Sequence, residues 1–139
     1  MISFNFETET HIQNQEQLCE WVSYAITSEG CNEGEINYVF CNDEYLHKLN
    51  VEFLQHDTLT DIISFDYSVG KELHGDVFIS IERVKENAQE LGVNFYLELH
   101  RVMIHGILHY CGYKDKKEKD KTEMRQKEDF YLSRLAQFL

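Results

Sequence analysis

The sequence contains no proline in 139 residues, and no apolar run approaches the roughly 20 residues that a membrane-spanning helix requires. Neither a low-complexity segment nor an internal repeat marks a linker or a second domain. We therefore expect a single domain over residues 1–139 with no membrane association. The N-terminus lacks the basic residue and the apolar core of a signal peptide, which predicts a cytoplasmic protein.

Closely spaced cysteine pairs are also missing. The four cysteines are Cys19, Cys31, Cys41 and Cys111, and none of them belongs to a CxxC motif. Zinc knuckles and dithiol redox motifs need such pairs, so isolated thiols in a reducing compartment are expected.

Positive charge is scarce and unevenly placed. Thirteen basic residues oppose 25 acidic ones, for a net charge of −12. Residues 1–60 hold eleven acids and one base, Lys48, whereas residues 114–127 hold seven of the thirteen bases. The net charge argues against broad, non-specific attraction to nucleic acid, because lysine and arginine supply most of that attraction. The basic segment is either a solvated loop and helix face or a local contact for an anionic partner.

Apolar periodicity predicts four strands and five helices. The predicted strands are 2–6, 36–41, 62–67 and 75–81. The predicted helices are 15–28, 43–53, 81–91, an apolar helix after Asn94 that carries His105 and His109, and 122–138. Asn14, Asn94 and either Asn42 or Asp43 are the expected N-caps, while Gly30 and Gly92 follow helix ends. This order predicts an α+β fold in which a mixed four-stranded sheet is packed with about five helices.

The segment HGILHYCGYKD, residues 105–115, has the composition of a metal site. His105 and His109 lie only about 40° apart around a helix, so both imidazoles can reach one ion. Gly112 can adopt the left-handed conformation that ends a helix, which lets the chain bring Asp115 back toward His109. Two imidazoles and a carboxylate are a known zinc ligand set. The sequence therefore predicts metal binding by these three residues.

The other potential ligands fail on geometry. Cys111 lies about 200° around the helix from His109, and His100 lies about 140° from His105. Packing and solvent contact are their expected roles. The remaining histidines fall on separate predicted segments and are expected to be structural or exposed: His11, His47, His56 and His74.

The histidine segment resembles the HGxLHLxGYDH signature of the YbeY family, metal-dependent endoribonucleases of ribosomal RNA maturation. Residues 60–65, TDIISF, resemble the family's TDVLSF, and residues 75–80, GDVFIS, resemble its GDIxIS. The three blocks stand in the family's order, and the resemblance covers essentially the whole chain. It implies a single-strand-specific endoribonuclease that uses one zinc ion in 16S ribosomal RNA processing and ribosome biogenesis. The implied partners are ribosomal RNA and the small ribosomal subunit.

The sequence departs from the family pattern at two positions. The family's three zinc-binding histidines fall on His105, His109 and Asp115, so a carboxylate replaces the third imidazole. Its extra negative charge makes the bound metal a weaker Lewis acid and favours a harder ion such as manganese. Leu54 stands where the family usually has an arginine. If that arginine contacts phosphate, Arg101 and the lysines from residue 114 onward are the predicted replacements.

The catalytic groups themselves are not evident from the sequence. Gly106 stands where HExxH proteases place their glutamate base, so peptide hydrolysis is not expected, and the glycine permits either close packing or close approach of substrate. A metal-bound water is the expected attacking or proton-accepting group, although attack by the RNA 2′-hydroxyl remains an alternative. Tyr67 and Tyr113 are candidates for base stacking.

Two other functions remain open at this point. One is a non-catalytic ribosome-assembly factor that keeps a structural metal. The other is a non-haem iron oxygenase, because two histidines and one carboxylate also suit iron.

Overall fold

The structure is a computed structural model that describes residues 1–54 and 60–139. Its elements are β1 (Ile2–Phe6), α1 (Gln15–Ser28), β2 (Asn32–Cys41), α2 (Asp43–Leu54), β3 (Ile62–Asp66), β4 (Glu72–Ser80), α3 (Ile81–Leu91), α4 (Phe95–Tyr110) and α5 (Glu118–Arg134), followed by a 3₁₀ turn at Leu135–Gln137. The predicted order of strands and helices is confirmed. The expectation for His56 lies outside the described residues.

The four strands form one mixed sheet in the order β1-β2-β4-β3. β1 pairs parallel with β2, and β2 pairs parallel with β4, because helices lie in the connections between these strands. β3 and β4 pair antiparallel across the short turn between Asp66 and Glu72, as the predicted hairpin requires. The predicted α+β class with a mixed four-stranded sheet is confirmed.

α4 runs through the centre of the described structure and contacts α1, α3 and α5 as well as β3 and β4. Its mostly apolar sequence suits this position, because nearly every side of the helix meets another element. Two buried aromatic residues link α4 and its neighbour α5 to other elements by hydrogen bonds. Tyr38 of β2 donates its hydroxyl to the carbonyl of Met103 at 2.9 Å, and Trp21 of α1 donates its indole N–H to the carbonyl of Tyr131 at 2.8 Å.

Several predicted boundaries were wrong. α5 begins at Glu118 rather than at residue 122, because its charged first turn suits a helix N-terminus despite having no apolar stripe. β2 and β4 begin earlier than predicted, since their polar first residues pair with each other. Asn14 is the N-cap residue of α1, as predicted, but it lies in the left-handed region at φ 61° and its side chain makes no capping hydrogen bond. By contrast, the Asn94 side chain accepts from the Tyr96 N–H at 2.8 Å, as predicted.

No helix in the described ranges is long and apolar enough to cross a membrane.

His100 faces the helical core rather than the histidine pair, as predicted from its angle on α4. Its ring lies 6.1 Å from the Trp21 ring and 5.9 Å from the Tyr96 ring. Burial among these groups lowers the pKa of His100 to about 4. The imidazole is therefore neutral in the folded protein at neutral pH.

This lowered pKa makes stability depend on pH. Between about pH 6.5 and 4, the unfolded chain binds a proton at His100 that the folded chain does not. The stabilisation is fully present above pH 6.5 and is lost toward pH 4, by up to about 3 kcal/mol. The free energy of unfolding, measured in urea, should therefore fall more steeply between pH 6.5 and 4 for the wild type than for His100→Phe. A constant difference between the two proteins over this range would contradict the assignment, since the other histidines are common to both.

Candidate metal centre

The last two turns of α4 and the turn that follows them build the candidate site. His105 and His109 lie one helical turn apart on the same face. Gly112 adopts φ 105°, and hydrogen bonds from the N–H groups of Gly112 and Tyr113 to the last carbonyls of α4 close the turn. The chain then reverses, as predicted, and carries Asp115 back to the two rings.

Three ligand atoms meet at one point. The Nε2 atoms of His105 and His109 are 2.9 Å apart, and Oδ2 of Asp115 lies 3.1 Å from the first and 3.2 Å from the second. Ligand atoms about 2.1 Å from a tetrahedral ion stand roughly 3.4 Å apart, so the triangle fits one ion of zinc's size with little adjustment. Among the described residues, these three form the group that can hold a metal.

Hydrogen bonds determine which nitrogen of each ring carries a proton. Nδ1 of His109 lies 3.0 Å from the carbonyl oxygen of Tyr113, which can only accept, so this nitrogen must donate. Nδ1 of His105 lies 2.7 Å from Oε2 of Glu128. Burial raises the pKa of Glu128, but hydrogen bonds from His105 and Arg101 outweigh it and lower the pKa below its ordinary value. Glu128 is therefore an acceptor, and His105 donates.

In their neutral forms, both rings consequently direct an Nε2 lone pair at the same point as a carboxylate oxygen. Three acceptors within about 3 Å of one another repel unless a proton or a metal ion lies between them. The donor set is thus suited to a divalent metal, and the hydrogen bonds on the far side of each ring are those that orient metal-binding histidines.

Glu128 belongs to the candidate site, although the sequence alone did not indicate it. It lies on α5, 23 residues from His105, and is buried at 5% exposure. Its other oxygen accepts from Nη1 of Arg101 at 2.9 Å, while Nη2 of Arg101 binds Asp129 at 2.8 Å. A glutamate within a highly charged helix carries no local signal of burial, so only the packing of α5 on α4 identifies it.

Replacing Glu128 by glutamine should weaken metal binding by about 10- to 100-fold, because the neutral amide is a poorer hydrogen-bond acceptor for His105. Competition with a chelator of known affinity would measure the change for zinc. Asp129→Asn is the matched control, since it alters a second Arg101 contact without touching a histidine. Equal zinc affinity in Glu128→Gln and the wild type would refute this role.

The three candidate ligands line a cleft of about 540 Å³, the metal cleft. Its walls come from α4, α5 and the start of β3, including Asp61, Ile62 and Ser64 of the TDIISF block. Below the cleft, a Cβ on Gly106 would stand 3.2 Å from Ile62 and 3.3 Å from Val77. Of the two roles expected for this glycine, the structure supports close packing of α4 on the sheet.

Two carboxyl groups that do not belong to the ligand set also line the cleft, Asp61 and Glu98. Burial raises the pKa of both, and the nearby Asp61 carboxylate raises that of Glu98 further. A carboxyl group whose pKa is raised keeps its proton to a higher pH than an ordinary carboxyl group does. These two residues therefore add candidate proton donors, which the sequence analysis had not identified.

The remaining predicted residues lie in different settings. Arg101 lines the cleft, but both ends of its guanidinium are occupied by carboxylates. The Tyr113 hydroxyl donates to Glu29 at 2.6 Å, so this ring is held against the protein, whereas Tyr67 is 59% exposed. Cys111 packs with the main core, away from the ligand atoms, and all four cysteines are free thiols.

The chain is similar to known proteins over nearly its whole length. A family model described as Endoribonuclease YbeY matches residues 2–136. The Endoribonuclease YbeY of Flavobacterium johnsoniae is 62% identical over 129 residues, which cover 93% of each chain. That of Flavobacterium psychrophilum is 60% identical over 129 residues, covering 93% of this chain and 92% of the relative. A solution structure of a protein from Thermotoga maritima superposes with a TM-score of 0.71 at 28% identity, covering 97% of this chain and 89% of that one.

Proposed function

The chain belongs to the YbeY endoribonuclease family, and from this we propose that it is a zinc-dependent endoribonuclease of single-stranded RNA that acts in 16S ribosomal RNA maturation. Ribosomal RNA and the small ribosomal subunit are the proposed partners, and the cytoplasm is the proposed location. The observation that carries the metal dependence is the convergence of two imidazole lone pairs and one carboxylate oxygen in an open cleft.

The residues of the site have different roles in the proposed reaction. A divalent ion, when bound, polarises a phosphoryl oxygen and lowers the pKa of water. His105, His109 and Asp115 would hold that ion, and Glu128 together with the Tyr113 carbonyl keeps both imidazoles in the tautomer that binds it. The neighbouring carboxyl groups of the cleft can give or take a proton.

The ligand set supports zinc and leaves manganese as the second choice. Two nitrogen ligands suit zinc, whereas the carboxylate of Asp115 makes the site harder than three histidines would. Within residues 1–54 and 60–139 the group has three protein ligands, and catalytic zinc sites keep a fourth position for water or substrate.

A non-catalytic assembly factor is the second candidate function. Its support is the leucine at position 54 and the pairing of Arg101 with Glu128 and Asp129, which together leave two expected phosphate contacts weak or missing. Against it stands the open cleft, because structural zinc sites are normally closed by four protein ligands.

Cleavage of a labelled RNA distinguishes these functions. Wild-type protein of known metal content would be incubated with a single-stranded RNA and a duplex of the same sequence, with chelator and then with zinc or manganese restored. We expect cleavage of the single strand that chelator abolishes and metal restores. Full metal occupancy without cleavage would favour the assembly factor, and oxygen-dependent turnover with iron would favour an oxygenase. A 2′,3′-cyclic phosphate on the product would show attack by the 2′-hydroxyl.

A further inference from the structure

The basic residues of segment 114–127 lie against different parts of the protein. Of its seven basic residues, Lys121 and Arg125 line the metal cleft in the described structure. Lys127 instead reaches Glu29 at 3.2 Å, at the end of α1. What looks like one run of positive charge in the sequence therefore presents two particular cations to the metal site.

These two cations are loosely held. Lys121 Nζ lies 3.7 Å from Glu118, and Arg125 Nη1 lies 3.7 Å from Glu128. Their side chains are 56% and 59% exposed, and ion pairs of this kind contribute little. Arg101 contrasts with them, because its side chain is only 20% exposed and binds two carboxylates at 2.9 and 2.8 Å. An incoming anion therefore meets Lys121 and Arg125 with less competition.

Their spacing suits a strand that carries repeated charge. Lys121 and Arg125 are four residues apart on α5, so they lie on one face and about 6 Å apart along the helix axis. This separation allows each cation to meet a different phosphate of an extended RNA strand. Because the protein as a whole carries a charge of −12, such a local pair gives a polyanion a point of attraction within the cleft.

We propose that Lys121 and Arg125 bind neighbouring phosphates of the RNA strand in the metal cleft and so replace the arginine contact that is absent at position 54. This inference rests on the proposed function. Arg101 then has a different task, which is to hold Glu128 in place behind His105.

The salt dependence of RNA binding tests the proposal. The double variant Lys121→Gln/Arg125→Gln would be compared with Lys116→Gln/Lys119→Gln, which changes the net charge equally at exposed positions outside the cleft lining. Fluorescence anisotropy would follow a labelled single-stranded 2′-O-methyl RNA over a range of salt concentrations, and a gel would verify that the RNA stays intact during the measurement. Loss of two phosphate contacts should reduce the slope of log K against log salt by about 1.4. We expect at least tenfold weaker binding at low salt, with zinc content unchanged.

The controls separate this inference from the proposed function. Equal slopes for the cleft variant and its charge-matched control would overturn the inference. The inference would also be overturned if Arg101→Gln lowered the slope of log K against log salt more than Lys121→Gln/Arg125→Gln does. Binding is measured independently of turnover, so wild-type protein that binds RNA through these residues but never cleaves it would contradict the nuclease function alone. On a cleavable RNA, we expect the cleft variant to raise KM much more than it lowers kcat.

Discussion

Replacing His109 by alanine is expected to remove the bound metal and to reduce RNA cleavage by at least about 10³-fold. Two ligands remain in the variant, and His105 and Asp115 cannot hold an ion as three ligands do. Loss of the metal removes several kcal/mol of transition-state stabilisation, and each 1.4 kcal/mol corresponds to a factor of ten in rate. Elemental analysis and initial cleavage rates on single-stranded RNA would measure both effects.

A matched histidine elsewhere controls for the loss of an imidazole. His11 is exposed and belongs to no metal-binding group in the described residues, so His11→Ala should retain both metal and activity. Thermal unfolding in chelator should be similar for His109→Ala and the wild type, because neither then contains metal. A His109→Ala protein that still binds one equivalent of zinc with wild-type affinity would contradict the assigned ligand set.

Replacing Gly75 by alanine is expected to destabilise the protein by about 3 kcal/mol, near the upper end for overpacked sites. A Cβ at this position would lie 2.6 Å from the carbonyl oxygen of Phe65 and would overlap the phenol of Tyr110. Tyr110 cannot easily move, because its hydroxyl donates to the Phe65 carbonyl at 3.0 Å. Urea unfolding would measure the loss.

Two further variants show whether steric overlap is the cause. Gly70→Ala places a methyl group in open space at φ 59° and should cost only about 1 kcal/mol. The double variant Gly75→Ala/Tyr110→Leu should recover part of the lost free energy relative to Gly75→Ala, since the phenol is removed. A Gly75→Ala protein as stable as Gly70→Ala would exclude the proposed overlap.

This glycine connects two of the sequence blocks that resemble the YbeY family. Gly75 begins the GDVFIS block on β4, and Tyr110 is the last residue of α4, directly after His109. The close contact between them sets how the end of α4 lies on the sheet. A block with no metal ligand thereby helps to position the histidine helix, which a reading of either block alone does not reveal.

Local geometry explains why the candidate ligands could be predicted without a structure. His105, His109 and Asp115 lie within eleven residues, and their meeting requires only one regular helix and one left-handed glycine. Both requirements are properties of short segments. The element order was likewise predictable, because α4 and the strands carry clear apolar patterns, whereas α5 has almost none and its start was placed four residues too late.

The sequence by itself therefore determined the α+β order of elements and the convergence of three ligand residues, since periodicity and helix geometry act over a few turns. Only the tertiary structure decided that Glu128 binds His105, that Arg101 is occupied by carboxylates, and that Lys121 and Arg125 face the cleft. These pairings depend on how α5 packs against α4. That packing is set by buried side chains distributed over the whole chain, and no local pattern within α5 predicts it.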